Sequence, residues 1–368
     1  MFHIKKQITR LYLSSALGNL SLTGAWVAIL AARGYSLVEI GFAETVFHIT
    51  SLLFEIPSGV LADVFGRKNM LLVSSIMRMI GNIIMIFSCN LFMVCVSIAF
   101  HAVSYNFSSG SGDALAYDSL KTVALEDDYE KYGSNQMIIH RFCSGVSTLC
   151  AGFSLLIGHR AAYGADIVIG LIQIRILLSL SEVRICHSDP CNEKGMIRHI
   201  RKELVICFIT SLSFLKNAKK AIFLMFCNSF VGAIDILLLF FLQAKLPENG
   251  MPQATLGLAL FFMETGGILG AKLILKWEKL RYRRIFAITA LLVFFSVLLE
   301  HSGMYIVMTI GGFIAALSDD ALQVRTNTLL QNMFPSEQRA TLISIESFTF
   351  SMIMIVLSPL AGILFSHW

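Results

Sequence analysis

Asp235, Glu264, Asp319, Asp320 and Arg78 each fall near the middle of a run of about 20 mostly apolar residues. At the centre of a bilayer an ionisable group costs at least about 2.5–3.5 kcal/mol, so each of the five is a functional candidate. Asp235 is the first choice for loading and releasing a proton. It is an isolated acid, and Asn228 stands seven residues before it on the same helical face. Asp319 and Asp320 are the reserve, because two adjacent carboxylates cannot both ionise cheaply at that depth. Asp113, Asp118, Glu300 and Glu346 lie nearer the ends of their runs, where a side chain reaches water, and rank lower.

A second pattern is Gly59-Val-Leu-Ala-Asp63-Val-Phe-Gly66-Arg67-Lys68. Gly59 lets another helix come close, and Gly66 permits a turn that a side chain would obstruct. Asp63 can accept from free N–H groups at the start of the next helix or pair with Arg67. Arg67 and Lys68 hold the turn on the cytoplasmic side. A generic basic turn would explain the two cations but not both glycines and the aspartate.

The elements that must carry these groups follow from composition. Of 368 residues, 56% are hydrophobic and 14% charged, against roughly 25% charged in a soluble domain. A soluble enzyme, a disordered chain and a disulfide-stapled module are excluded, leaving an all-α membrane protein with its backbone paired inside helices. Eleven spans are predicted, near 10–32, 39–60, 69–88, 91–112, 135–157, 161–181, 220–243, 253–275, 284–300, 303–325 and 340–365. All but six of the 29 Lys and Arg fall on one side if the N-terminus is cytoplasmic. Arg33, Arg160 and Lys245 lie outside, while Arg78, Arg141 and Arg175 lie in or at the edge of spans.

The segment 182–219 divides six spans (1–181) from five (220–368). Within it, Ile197, Ile200, Leu204, Phe208 and Leu215 recur at helical spacing among basic residues, which predicts an amphipathic helix over 196–216 on the inner leaflet. Cys186 and Cys191 lie in the same segment, but structural zinc needs four ligands with closer cysteine spacing. No metal or other cofactor is expected, nor a nucleic-acid partner.

Spans 2 and 3 run antiparallel from the turn at 61–68. Glu55 then lies about 7–8 Å above the inner end and Arg78 about 13–14 Å, a difference that an arginine can bridge. A structural Glu55–Arg78 pair is expected. Trp26 and Tyr105 either line a substrate pocket or pack against lipid and neighbouring helices.

The Gly59–Lys68 string resembles the signature loop of the major facilitator superfamily, Gly-x-x-x-Asp-x-x-Gly-Arg-Lys/Arg, at every defining position. Phe54-Glu55-Ile-Pro57-Ser-Gly59, Ala114-x-x-Tyr117-Asp118-Ser119-Leu120 and Phe334-Pro335-Ser-Glu-Gln-Arg339-Ala340-Thr341 resemble a bacterial, drug-efflux-like branch. The resemblance implies a helical bundle in two halves, alternating access, and a cavity lined chiefly by spans 1, 4, 7 and 10. It also implies that the loop charges help hold the halves together on the cytoplasmic side. Family proton antiporters carry Arg and Gln in span 4 where this chain has Asn106 and Ser109. Against the twelve helices of the family, eleven are found, and Trp368 is expected on the extracellular side.

The expectation is a plasma-membrane exporter of amphipathic compounds, in contact with the lipid bilayer. No Gly-x-x-x-x-Gly-Lys-Ser/Thr motif is present, so active transport must draw on a proton or sodium gradient. The alternatives are a membrane-embedded transferase, which would need a compact His/Asp or metal cluster near an interface, and a non-transporting relic or sensor.

Overall fold

The computed structural model describes residues 2–125, 128–183, 219–277, 279–333 and 339–367. The amphipathic stretch 196–216, Cys186, Cys191 and the motif residues 334–338 lie outside them, as does the side chain of Asp63. The described residues form helices and turns, with no strand.

Fourteen helices are described, in the order α1 (Phe2–Asn19), α2 (Trp26–Ala32), α3 (Leu37–Phe65), α4 (Arg67–Phe87), α5 (Leu91–Ser108), α6 (Ser111–Lys121), α7 (Tyr129–Leu149), α8 (Ala151–Ile157), α9 (His159–Leu178), α10 (Lys219–Glu248), α11 (Gln253–Leu275), α12 (Tyr282–Glu300), α13 (Tyr305–Met333) and α14 (Arg339–Ser366). Nine stretches among the described residues are long and apolar enough to cross a membrane, and the bent pair α7–α8, angled at 46°, makes a tenth. The eleventh expected crossing, 10–32, is divided into α1 and α2, neither of which is among those stretches. Local chemistry explains the starts of two helices. Asn90 accepts from Met93 N at 2.9 Å to cap α5. Ser36 and Glu39 form a reciprocal capping box before α3, with Ser36 N donating to Glu39 Oε2 at 2.8 Å and Glu39 N to Ser36 Oγ at 3.3 Å.

Two compact units are formed, neither a continuous stretch of chain. The first takes in Met1–Thr23, Ile49–Ser147 and His159–Thr210; the second Gly24–His48, Thr148–Gly158 and Ser211–Trp368. In the first unit α4 packs between α5 and α9, with α1 against α9 and α6. Its core includes Leu11, Leu115, Ala116, Tyr132 and Leu177. In the second, α13 packs on α10, α11 and α12, and α14 packs on α10.

Glycines set the spacing of the second unit. A Cβ at Gly266 would lie 2.2 Å from Phe313 O, and one at Gly270 2.0 Å from Leu317 O. The small-xxx-small pair thus lets α11 and α13 touch backbone to backbone. Gly41 of α3 meets Ser358 O of α14 in the same way, and Gly257 of α11 meets Leu149 O. Gly59 does not, because a Cβ there meets no atom within 4 Å. The close approach expected of it is not made among the described residues.

Candidate functional site

The turn between α3 and α4 is a single residue, Gly66, at φ +95°. A Cβ there would stand 2.7 Å from Glu182 Oε2. The glutamate uses that space to cap α4, accepting from Arg67 N at 3.1 Å and Lys68 N at 3.0 Å. Arg67 Nε reaches Asp118 Oδ2 at 3.4 Å, and Lys68 Nζ donates to Leu178 O at 3.1 Å. The loop's two cations are therefore tied to α6 and α9 inside the first unit. Glu182 was not singled out from sequence, where it reads as one more acid just beyond a span.

Arg78 does not pair with Glu55. Its guanidinium donates to Gly18 O at 2.6 Å and to Gln173 Oε1. The depth comparison placed both residues within reach, but α1 ends at Asn19 and leaves its last carbonyls without helical partners. Gly18 O is one of these, and the arginine takes it. Gly18 also makes room for Gln173, whose Nε2 would stand 2.8 Å from a Cβ. That amide donates to Ser14 O at 2.9 Å, while Ser75 Oγ donates to Gln173 Oε1 at 3.2 Å.

The break after α1 is held by Asp166 of α9, which sequence ranking passed over. Its carboxylate accepts from Ser21 Oγ at 2.7 Å, Leu22 N at 2.8 Å and Thr23 Oγ1 at 2.6 Å. In lipid an unwound backbone survives only where protein supplies such partners. A polar residue facing two hydroxyl-bearing residues in the first span was the available signal.

Around these groups lies a cavity of about 480 Å³, wholly within the first unit. Its lining brings together hydrogen-bonding residues, Arg78, Gln173 and several serines, with Tyr129, Tyr132 and Asp113. Tyr129 and Tyr132 are stacked, with ring centroids 6.0 Å apart. That volume is ordinary for a small-molecule pocket.

Asn106 does not line it. Buried at 1% exposure, it accepts from Ser51 Oγ at 2.9 Å and donates to Ser51 O at 2.6 Å, joining α5 to α3. Tyr105 is exposed on the same helix, and Trp26 packs edge-on against Phe240.

In the second unit the expected acids gather. Asp235 of α10 lies within electrostatic reach of Asp319, Asp320 and Glu300. Asp319 sits against Gly232, one turn before Asp235, and Asp320 sits against Gly267 of α11. Asp235 and Asp319 form no ion pair among the described residues. Asn228 turns to another partner, donating to Glu346 Oε1 of α14 at 3.2 Å. Glu264 accepts from Thr148 Oγ1 at 2.8 Å. Glu300, ranked low for standing at a span end, is buried at 2% exposure because Gly311 of α13 lies over it. Among the described residues no group of three or more His, Cys, Asp or Glu is arranged to hold a metal ion.

The sequence profile of the Major Facilitator Superfamily matches residues 11–359. An uncharacterised MFS-type transporter of Bacillus subtilis (strain 168), YxaM, is 22% identical over 351 residues, covering 91% of this chain and 84% of that protein. Among solved structures, the nucleoside transporter NupG superposes with a TM-score of 0.72 at 13% identity, over 100% of this chain and 92% of that one. The D-xylose-proton symporter superposes at 0.66 and 13% identity, over 97% and 89%. The signature loop, the all-helical bundle and the profile spanning nearly the whole chain converge: this multi-pass membrane protein belongs to the major facilitator superfamily, a family of small-molecule transporters.

Proposed function

We propose that the chain is a secondary active transporter that exports small amphipathic compounds by alternating access, driven by a proton gradient. The observation that carries the reading is the group of span carboxyls around Asp235, gathered on three helices, with no cation paired to Asp235 or Asp319 among the described residues. Such acids are retained at depth where they carry protons or ions. Two features support the rest. The cavity of the first unit is lined by both aromatic and hydrogen-bonding residues, as an amphipathic solute requires. The glycine contacts Gly41–Ser358 and Gly257–Leu149 bring segments from early and late in the chain together inside the second unit, as a helical bundle built from distant segments requires. The division at 182–219 into six spans and five completes the reading, with the N-terminus cytoplasmic.

The test is transport in proteoliposomes with an imposed pH gradient. Wild type should move solute against its concentration gradient, and Asp235→Asn should lose this while retaining downhill exchange. Full gradient-driven transport in that variant would remove Asp235 from the mechanism. Transport by wild type that ignores both pH and sodium gradients would overturn secondary active transport itself.

A further inference from the structure

The cavity of the first unit carries one group that the fold alone does not explain. A guanidinium has five N–H donors, and Arg78 uses two of them, on Gly18 O and Gln173 Oε1. Three remain without a protein partner among the described residues, on a side chain that lines the cavity. Nor is its charge paired: no carboxylate stands within ion-pair distance of Arg78 among the described residues. Asp166 acts on it through space, but that carboxylate is taken by Ser21, Leu22 and Thr23. A positive charge at this depth calls for an anion, and a planar fork of N–H groups matches a carboxylate.

The other walls narrow the class. Tyr129 is half-buried and lines the cavity, a ring against which a flat aromatic group packs, while Tyr132 lies behind it, buried and stacked on both Tyr12 and Tyr129. Asp113 lines the same cavity and acts electrostatically on both tyrosines. A second negative charge on the ligand would therefore meet repulsion near the tyrosines.

We propose that this cavity binds small aromatic monocarboxylates, the carboxylate on Arg78 and the ring against Tyr129. The inference rests on the transport reading only for its biological meaning, since it makes the bound anion the cargo; the site itself is testable without transport.

The experiment uses the full chain in phosphatidylcholine nanodiscs, with 1-naphthoate as probe and 1-naphthamide as its uncharged counterpart. Loss of charge-assisted hydrogen bonds should make the amide bind at least about tenfold more weakly. A naphthalene dicarboxylate should bind more weakly than the monoacid, and Arg78→Lys should keep part of the acid preference that Arg78→Gln loses. Should Arg78→Gln fail to fold, the chain with Ser108→Cys, a cavity-lining position, locates the ligand. There 1-naphthoate, and not the amide, should slow maleimide labelling.

Equal binding of acid and amide, or binding of neither, overturns the proposal. So does loss of 1-naphthoate affinity in nanodiscs containing phosphatidylglycerol, which would make an anionic lipid headgroup the occupant. Binding as expected with no gradient-driven movement would instead count against the transport reading and leave the site standing. Transport of other solutes without 1-naphthoate binding would do the reverse.

Discussion

Thr23 gives both of its donors to Asp166: its hydroxyl at 2.6 Å and its backbone N–H at 3.3 Å. One carboxylate from α9 thereby takes the backbone N–H groups of Leu22 and Thr23, which a continuous first helix would have paired internally. Replacing it with alanine leaves buried donors unmade, at about 1–3 kcal/mol each. Asp166→Ala should lower the thermal midpoint and folded yield strongly. Asp166→Asn, which keeps one acceptor oxygen, should fall between that variant and wild type. A wild-type midpoint for the alanine variant would show that the break is held by other means.

Arg78 and Glu55 should behave as independent residues. Because Arg78 is engaged by Gly18 and Gln173, Arg78→Gln should reduce yield, and adding Glu55→Gln should not restore it. In a double-mutant cycle on thermal stability their coupling should lie within about 0.5 kcal/mol of zero. A larger favourable coupling would mean that the two side chains meet.

Alanine replacements of glycine should divide sharply by site. Gly266→Ala and Gly270→Ala force a methyl into a carbonyl of α13 and should destabilise the second unit or separate the helices. Gly164→Ala in α9 meets nothing within 4 Å and should be neutral or stabilising by up to about 1 kcal/mol through helix propensity. Thermal stability of the three purified variants in one detergent gives the comparison.

Orientation has a built-in reporter. Cys89 is a free, exposed thiol in the turn between α4 and α5. In a variant retaining only this cysteine, an impermeant maleimide added to intact cells should label it, as an extracellular turn requires. Labelling only after the cells are opened would reverse the orientation.

Legibility in the sequence followed the kind of signal each feature leaves. The span read at 253–275 is α11 to the residue, because hydropathy and helical period act along the chain and are visible there. The first crossing, 10–32, reads as one helix for the same reason, since averaging over an apolar window hides two hydroxyls and a glycine that accept an alternative partner. Arg78 was placed at a sound depth and given the wrong partner. Height along a helix is countable, but the direction of a side chain around it, and the carbonyl freed at Asn19, come only from packing. Glu300 fails in a similar way, because a helix end is assumed to meet water and here it meets Gly311.

The fit of Glu182 over Gly66 also constrains how this protein can change over generations. A side chain at position 66 is strained at φ +95° and displaces the carboxylate at position 182 from its place over the turn, and a shortened residue at 182 strips the cap from Arg67 and Lys68. Neither position can drift alone without passing through a weakened intermediate. A change at either position thus costs the same cap, which couples the two although 115 residues separate Arg67 from Glu182.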